Sequence, residues 1–272
     1  MGKSRFRLLG NALICIGLLG LSPAGAVEQW TAGGSGFSWE SAGELTGLTT
    51  DDFVLLPAVV DSTTNAVDNL PLRRRGGSVS SPQAREDLTG LLTDGNADTF
   101  WRVTRERRPD GTSMIIDLGA ILPINRIRFQ GNPDIFLRAY ELFVHDGDPA
   151  QLREGLPVAY INKVSSNLEQ SEPDIDVTIT LQFVRFIRLI SRSCQELILE
   201  EAEVFGDGFA PTGSYLADVI DLGQAANFGN IRMQTRIDPL TKVVLQTRTG
   251  SVPDPKIYYS NTEVFEGEDR QE

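Results

Sequence analysis

Apolar and polar side chains alternate with a period of two through the middle of this chain, and that pattern constrains the fold more than any other feature of the sequence. The alternation runs through three segments: residues 126–129, 140–145 and 176–181. A period of two puts successive side chains on opposite faces, so these segments are predicted to be half-buried β-strands. Residues 184–190 are apolar on both faces, as expected of a central strand that is covered on each side.

No long stretch shows the period of an amphipathic helix, and short Val-, Ile- and Thr-rich runs are separated by Gly, Asp and Asn. The hydrophobic content of 40%, with 26 glycines and 14 prolines, is typical of a globular protein. The chain is therefore predicted to be all-β, with a sandwich or jelly-roll architecture. Its length of 272 residues suits one large domain or two modest ones.

The first 26 residues have the pattern of a secretory signal peptide. Basic residues at positions 3, 5 and 7 precede an apolar run over residues 8–21, and Ala24-Gly25-Ala26 supplies small residues for a cleavage site. The apolar run is shorter than the roughly 20 residues that a membrane span needs. We therefore expect an exported protein that is secreted, periplasmic or held at the cell surface.

The charge of the chain limits its partners. The net charge is −12, and cleavage after Ala26 removes three of the 25 Lys and Arg and none of the 37 Asp and Glu, which leaves −15. Such a surface disfavours nucleic acid and anionic membrane lipid as partners. Cleavage also leaves Cys194 as the single cysteine, so the mature chain cannot form an internal disulfide.

The sequence contains none of the motifs that would identify an enzyme. His145 is the single histidine and lies next to an Asp-Gly-Asp turn, and Cys194 has no second histidine to activate it. No G-x-S-x-G, H-E-x-x-H or Walker loop occurs. Paired carboxylates can hydrolyse a glycosidic bond, and the 37 acidic residues leave that reading open. The prediction is a non-catalytic protein.

An internal echo indicates a second β unit near the end of the chain. Residues 115–130 and 219–234 share seven identical positions out of sixteen. Two explanations fit this echo. The chain contains either a second, related sandwich unit or the same strand–turn–strand arrangement twice. Only two further strands are predicted, at residues 242–248 and 256–259, which are too few for a closed sandwich.

Several segments together resemble the discoidin domains, also called coagulation factor 5/8 type C domains, whose bacterial relatives include the family 32 carbohydrate-binding modules. The segments occur in the family's order: residues 92–101, 116–119, 124–129, 140–147, 183–189 and 201–206. The resemblance implies a galactose-binding-like, jelly-roll β-sandwich of about eight strands. The predicted organisation is a signal peptide at 1–26, short strands and irregular structure at 27–69, a discoidin-like domain at 70–207, and a partial second β unit with an acidic tail at 208–272.

The loop at residues 94–99 contains the oxygen groups that a hard cation prefers. Asp94 offers a carboxylate, Gly95 permits a tight turn, and Asn96 and Thr99 offer carbonyl or hydroxyl oxygens. From spacing alone, an Asp-Gly turn capped by Thr99 without a metal explains the same residues. The family resemblance implies a structural calcium or sodium ion held by six residues, of which Leu91 and Glu200 would each supply a backbone oxygen: Leu91, Asp94, Asn96, Thr99, Glu200 and Glu201. Calcium is therefore the expected cofactor, and it would tie the first strand of the domain to the last.

The ligand site of such modules lies on variable loops at one end of the sandwich, so the resemblance implies a surface and no fixed motif. The candidate residues on these loops are Arg105, Arg107, Arg108, Asn132 and Phe136. Arg and Asn side chains can hydrogen-bond vicinal sugar hydroxyls, and an aromatic ring can cover the apolar side of a sugar. Charged loop residues are also common as plain solvated surface. Trp101 is predicted to pack in the core.

These observations favour a secreted or cell-surface, non-catalytic binding module, and the resemblance implies that its ligand is a carbohydrate (glycan) or another cell-surface component. The alternative is a structural or adhesive module of a larger envelope protein, with a protein partner. Phospholipid binding, as in some eukaryotic relatives, is a third reading that the negative charge opposes.

Overall fold

The computed structural model describes residues 12–16, 28–32, 38–51, 53–68, 76–82, 86–107, 109–219, 231–236 and 241–247. The chain divides into two compact units. The first comprises Met1–Gly43, Asp52–Val54 and Leu216–Glu272, and the second comprises Glu44–Asp51 and Leu55–Tyr215. The second unit contains the segment that resembles the discoidin family. Within the described residues, none of the helices has the length and apolar character required to cross a lipid bilayer.

Strands dominate the described residues, which confirms the predicted all-β fold. The strands are β1 Ala12–Ile16, β2 Glu28–Ala32, β3 Gly43–Thr46, β4 Leu48–Asp51, β5 Val54–Pro57, β6 Val59–Val60, β7 Ser78–Ser80, β8 Trp101–Val103, β9 Ser113–Gly131, β10 Tyr140–His145, β11 Leu152–Arg153, β12 Leu156–Pro157, β13 Asn162–Asn167, β14 Ile175–Ser191, β15 Leu197–Gly206, β16 Gly208–Phe209, β17 Ser214–Ala217 and β18 Ile231–Met233. The described helices are 3-10 turns at Glu86–Thr93, Arg105–Arg107 and Pro149–Gln151.

A seven-stranded antiparallel sheet forms the body of the second unit. Its strand order is β13-β10-β14-β9-β15-β8, and β7 pairs with β9 beside this path. The long strands β9 and β14, of 19 and 17 residues, pair from Ile175↔Phe129 to Ile190↔Ser113. The apolar segment at 184–190 lies in β14, between β10 and β9, so its predicted central position is confirmed.

The long strand β9 changes neighbours along its length. The first half of β9 pairs with β7 at Ile116↔Val79, whereas its second half pairs with β15 at Ile127↔Val204. Side chains from both halves bury in one hydrophobic cluster, whose members include Ile116, Ile127, Phe129, Leu142, Ile187, Leu199 and Trp101. Trp101 is 3% exposed, which confirms its predicted place in the core.

The first unit contains a small three-stranded sheet in the order β18-β1-β2. β1 pairs with β2 from Ala12↔Ala32 to Ile16↔Glu28, and with β18 at Leu13↔Arg232. β1 lies inside the predicted signal peptide, and export of the chain stays a prediction.

One predicted strand near the C-terminus is wrong. Residues 241–247 form no strand, although a strand was expected at 242–248. The apolar side chains that suggested it, Val244 and Leu245, are 62% and 49% exposed, so no buried face holds this stretch in a sheet. The other strand expected there, at 256–259, lies outside the described residues.

Candidate functional site

The loop that contains Asp94 is built by local hydrogen bonds. The chain turns at Gly95, whose φ is +72°. The Asp94 carboxylate accepts the Asn96 N–H at 3.0 Å, and the Asn96 side-chain oxygen accepts the Asp98 N–H at 3.1 Å. The Thr99 N–H donates to the Asn96 carbonyl at 3.0 Å. Because each of these hydrogen bonds joins residues two or three positions apart, the Asp-Gly-Asn segment forms this turn without partners from distant parts of the chain.

The Thr99 hydroxyl lies among four acceptor oxygens. Its Oγ1 is 2.8 Å from the Asn96 carbonyl oxygen and 3.4 Å from the Leu91 carbonyl oxygen. The two carboxylate oxygens of Asp94 are 3.0 and 2.9 Å from the same atom. A hydroxyl has one hydrogen to donate, so the cluster has more acceptors than donors. The structure thus brings together four of the predicted metal-binding residues.

Glu201, in β15, contributes a second carboxylate to this region. Its side chain is 6% exposed, and neither carboxylate oxygen makes a hydrogen bond of normal geometry with the described residues. Burial, and next the negative charge of Asp94, raise the pKa of Glu201 to about 7, while the Gly95 N–H that faces it lowers the pKa in part. Glu201 is therefore a buried acid next to another acid, with both oxygens available to a ligand.

The chemistry of this donor set fits a hard cation such as calcium. It offers two carboxylates, backbone carbonyl oxygens and one hydroxyl, and all of these ligands are oxygens. Over the described part of the chain, no group of three or more His, Cys, Asp or Glu side chains is arranged to hold a metal. The set around Asp94 stays below that number because Leu91, Asn96 and Thr99 would bind through carbonyl or hydroxyl oxygens. The unpaired oxygens of Glu201 are the groups that a cation would satisfy.

Glu200, the sixth predicted metal ligand, directs its side chain elsewhere. Its Oε1 accepts the Asn132 side-chain N–H at 3.1 Å. The sequence assigned Glu200 only a backbone oxygen at the ion, and no described contact tests that role. Asn132 is held further by its Oδ1, which accepts the N–H groups of Asp134 and Ile135 at 3.1 and 3.2 Å.

A depression of about 360 Å³ opens beside Glu201. Its lining residues are Thr64, Asn65, Asp68, Gly95, Ala97, Gln130, Glu201 and Glu203. The lining combines hydroxyl, amide and carboxylate side chains with two small residues that leave room for a ligand. A concave site with a few convergent polar groups is the usual place for a small polar ligand.

One wall of the depression is fixed to the sheet by Asn65. Its side-chain N–H donates to the Ala202 carbonyl at 3.1 Å, and its Oδ1 accepts the Val204 N–H at 3.0 Å. The Ala66 N–H also donates to the Val204 carbonyl, at 2.8 Å. The segment before residue 69 therefore runs along the edge of β15, and the Asn65 amide is occupied by the backbone.

The opposite wall presents a carboxylate and an amide from two adjacent strands. Glu203 of β15 accepts from Arg128 of β9 at 2.7 Å, and the same guanidinium donates to Asp174 at 2.7 Å. These carboxylates, Asp174 first, raise the pKa of Arg128. Gln130 lies two residues along β9, and its side-chain amide has no protein partner among the described residues. Glu203 is thus held in place while Gln130 stays available.

The residues predicted to contact a sugar do not form one open surface. Arg105 and Arg107 are exposed on the Arg105–Arg107 turn, as expected, and Arg108 lies outside the described residues. Phe136 is 4% exposed, and the Arg138 guanidinium carbon lies 3.5 Å from its ring centroid. The expected aromatic platform at Phe136 is therefore wrong, because burial and the stacked arginine cover the ring.

Sequence reasoning missed Asp68, Gln130 and Glu203, which line the depression. A signal for two of them was present: on β9 and β15, Gln130 and Glu203 alternate with the buried Phe129 and Ala202, so both point away from the core. Asp68 carries no such signal, since its position depends on how the segment before residue 69 lies against β15.

Comparison with known proteins gives structural likenesses only. No protein-family profile matches the chain, and no curated protein matches it. One similar solved structure is chitosan-binding module 1 of a chitosanase/glucanase from Paenibacillus sp. IK-5, with 17% identity and a TM-score of 0.42 over 53% of this chain and 99% of that module. Module 2 of the same protein, in complex with chitotriose, has 20% identity and a TM-score of 0.41 over 52% of this chain and all of that module, 100%.

A third similar structure is CpGH89CBM32-5 from Clostridium perfringens, in complex with GalNAc-β-1,3-galactose. It has 17% identity and a TM-score of 0.38 over 48% of this chain and 96% of that module. These structural neighbours are carbohydrate-binding modules, and one of them is a CBM32 module, the class that the sequence resembles.

Proposed function

We propose that the second unit is a non-catalytic carbohydrate-binding module of a secreted or cell-surface protein, with a structural calcium ion in the Asp94 loop. The observation that carries this proposal is the polar depression beside Glu201. Its volume of about 360 Å³ falls in the size range of small-ligand sites, and its lining supplies both donors and acceptors for sugar hydroxyls.

A sugar ring in the depression would exchange hydrogen bonds with both walls. The Gln130 amide can donate to one hydroxyl oxygen and accept from another hydroxyl, and the Glu203 carboxylate can accept from a third. Since Arg128 already holds Glu203, little side-chain freedom is lost when the sugar binds. Gly95 and Ala97 have no long side chains to block the ring.

The calcium ion would bind next to the depression, between the Asp94 loop and β15. Asp94 and Glu201 would hold it together with oxygens of Leu91, Asn96 and Thr99. The ion would neutralise the repulsion between Asp94 and Glu201 and would connect the loop to β15. This is a structural role, because the ion orders the wall that contains Gly95.

Glycoside hydrolysis is the catalytic alternative that the sequence left open. Glu201 has a raised pKa, as the general acid of a glycosidase does, and Glu203 lies on the same strand. Under the proposal, calcium removes that acid from proton transfer. The same experiments should therefore detect binding without release of reducing ends.

The test is a binding titration by calorimetry in calcium-containing buffer. Two structural neighbours are complexes with chitotriose and with GalNAc-β-1,3-galactose, so these sugars are the first ligands, followed by a glycan array. Gln130→Ala should weaken binding at least fivefold. Gln182→Ala is the matched control, because that side chain pairs with Asn162 on an exposed part of the sheet.

Two results would overturn the proposal. If no glycan on the array binds, the structural or adhesive module with a protein partner becomes the better account. If a glycan binds equally well to the Gln130→Ala variant and the wild type, the ligand site lies elsewhere, and the depression loses its role.

A further inference from the structure

A second cluster of three polar side chains lies in the same unit, on elements that do not line the depression. His145 ends β10, Arg188 lies in β14, and Tyr160 lies in the connection between β12 and β13. The His145 and Tyr160 ring centroids are 6.1 Å apart, and the Arg188 guanidinium carbon is 5.3 Å from the Tyr160 ring centroid. His145 and Arg188 therefore both pack against Tyr160.

His145 presents an unpaired N–H inside the protein. The residue is 6% exposed, and its Nδ1 accepts the Gly147 N–H at 2.9 Å. A ring nitrogen that accepts a hydrogen bond carries no hydrogen, so the neutral ring has its hydrogen on Nε2. That Nε2 has no partner among the described residues. Asp146, whose Oδ1 is 3.5 Å from Nδ1, is on the other side of the ring and does not satisfy it.

Tyr160 and Arg188 each add an unpaired buried donor. The Tyr160 hydroxyl and the Arg188 Nε have no hydrogen-bond partner in the described chain. Burial raises the pKa of Tyr160 to about 12, so the phenol keeps its hydrogen. The Arg188 guanidinium makes one long contact, from Nη2 to the Ser113 hydroxyl at 3.4 Å. All three unpaired atoms are donors, and buried donors normally have an acceptor.

The nearby acid does not supply this acceptor. Asp117 is engaged by Arg185, which donates to its two carboxylate oxygens at 3.0 and 3.1 Å. Two acids, Asp117 and Asp146, and two guanidinium groups therefore surround the cluster, so these charges balance when His145 is neutral. A ligand with negative oxygens matches the three unpaired donors, because hydrogen bonds to a charged acceptor are stronger than those to a neutral one.

The cover over the cluster is a short segment with one inward side chain. Val158 and Ile161 are 70% and 82% exposed, whereas Tyr160 between them is half-buried against His145 and Arg188. The segment belongs to no strand between Pro157 and Asn162. Outward movement of a few residues would thus open the cluster while most of the sheet stays in place.

We propose that His145, Tyr160 and Arg188 bind a carboxylate group, and that an acidic sugar carries it. The carboxylate accepts from His145 Nε2, the Tyr160 hydroxyl and the Arg188 guanidinium. The assignment to a sugar rests on the proposed glycan-binding function, whereas the carboxylate chemistry follows from the three donors alone. A second site that binds a carboxylate would let the module bind glycans that contain uronic acids.

The single histidine makes the test direct. The untagged protein, labelled with ¹⁵N, gives one pair of imidazole signals in the NMR spectrum, because His145 is the only histidine in the chain. D-Glucuronate should shift the His145 Nε2 signal in a saturable way. D-Glucose, which has the same ring without the carboxylate, should leave the signal unchanged, and acetate should bind at least fivefold more weakly than D-glucuronate.

Two conservative variants locate the site. Tyr160→Phe removes only the hydroxyl, and Arg188→Lys keeps the charge but removes the Nε–H, so each should weaken D-glucuronate binding at least threefold. Arg126→Lys is the matched control, since Arg126 also stacks on an aromatic ring, 5.4 Å from the Phe205 centroid. Its affinity for D-glucuronate should equal that of the wild type.

The outcomes separate this inference from the proposed function. No His145 shift with any ligand overturns the carboxylate site, even if chitotriose still binds through Gln130. Equal affinity for acetate and D-glucuronate overturns the sugar and leaves a site for simple carboxylates. A shift that both Tyr160→Phe and Arg188→Lys preserve also overturns the proposal, because the donors would then be unused.

Discussion

The Asp94–Glu201 region and the His145–Tyr160–Arg188 cluster lie in the same unit and leave opposite kinds of polar atoms unpaired. Around Asp94 and Glu201 the surplus atoms are acceptors, and neither carboxylate oxygen of the buried Glu201 makes a hydrogen bond of normal geometry in the described chain. In the cluster around Tyr160 the surplus atoms are donors. Since buried polar groups need partners, we propose a cation for the first region and an anion for the second.

Charged side chains on the sheet outside these two regions do have hydrogen-bond partners. Arg128 pairs with Asp174 and Glu203, each at 2.7 Å, and Arg126 pairs with Asp176. Donors and acceptors balance there, so these ion pairs do not themselves require a ligand, although the Glu203 carboxylate can still accept a sugar hydroxyl. The contrast indicates that an imbalance of buried donors and acceptors, and not charge alone, marks the two candidate sites.

The largest expected effect is the response to calcium. With calcium at a hundredfold excess over its dissociation constant, the free energy of unfolding should rise by about 2.7 kcal/mol relative to protein in chelator. Asp94→Ala and Glu201→Ala should abolish this rise in urea unfolding curves. Asp98→Ala is the control, because Asp98 is exposed on the same loop and should respond as the wild type does. Equal responses in all variants would contradict the site.

The next largest effect is a pH dependence of the free energy of unfolding, measured in the presence of chelator. Burial and Asp94 raise the pKa of Glu201 to about 7, above its unfolded value. The protonated carboxyl therefore adds stability at low pH, and this contribution is lost as the pH rises through about 7, at a cost on the order of 2 kcal/mol. Glu201→Gln should remove this pH dependence from unfolding measured between pH 4.5 and pH 8, whereas Glu200→Gln should keep it. Saturating calcium should reduce this loss, because the ion favours the ionised carboxylate and so lowers the pKa of Glu201 in the folded protein.

A smaller effect compares two tyrosines. The Tyr160 hydroxyl is buried without a partner, whereas the Tyr140 hydroxyl is 3.3 Å from the Ser165 hydroxyl. Tyr140→Phe should lower the free energy of unfolding by about 1 kcal/mol, and Tyr160→Phe should leave it unchanged or raise it slightly. Urea unfolding of both variants without ligand tests this difference. A larger loss for Tyr160→Phe would mean that its hydroxyl is satisfied in the free protein.

The smallest effect on stability is expected at a solvent-exposed ion pair whose donors and acceptors already have partners. The Asp176 and Arg126 side chains are both 42% exposed, so their ion pair is screened by water. Asp176→Asn should change the free energy of unfolding by less than about 0.5 kcal/mol. A loss above about 1 kcal/mol would show that saturated pairs also carry substantial stability here, and the comparison would weaken.

The all-β fold could be predicted because apolar and polar residues alternate locally along the strands. Residues 140–145 alternate in sequence, and in β10 they alternate between buried and half-buried until Val144 and His145, which are both buried. The exception has a tertiary cause: His145 is on the outer face, where Tyr160 covers it. The expected strand at 242–248 failed for the converse reason, since an apolar pattern forms a strand only where another surface covers it.

The candidate sites were predictable only where their residues are close in sequence. Asp94, Asn96 and Thr99 lie within one turn, so the sequence alone indicates their shared oxygen-ligand chemistry. Phe136 was expected to stack on a ligand, but Arg138 covers its ring. Burial of an aromatic ring depends on neighbours from other loops, which sequence spacing does not specify.

The sequence by itself determined the all-β fold, the Asp-Gly turn and the oxygen-rich chemistry of its loop, because each depends on residues a few positions apart. Tertiary structure alone decided that Glu201 is buried beside Asp94, that Gln130 and Asp68 share one depression, and that His145, Tyr160 and Arg188 form one cluster. The physical reason is that burial and the balance of hydrogen-bond partners arise from contacts between strands and loops that are distant in the chain.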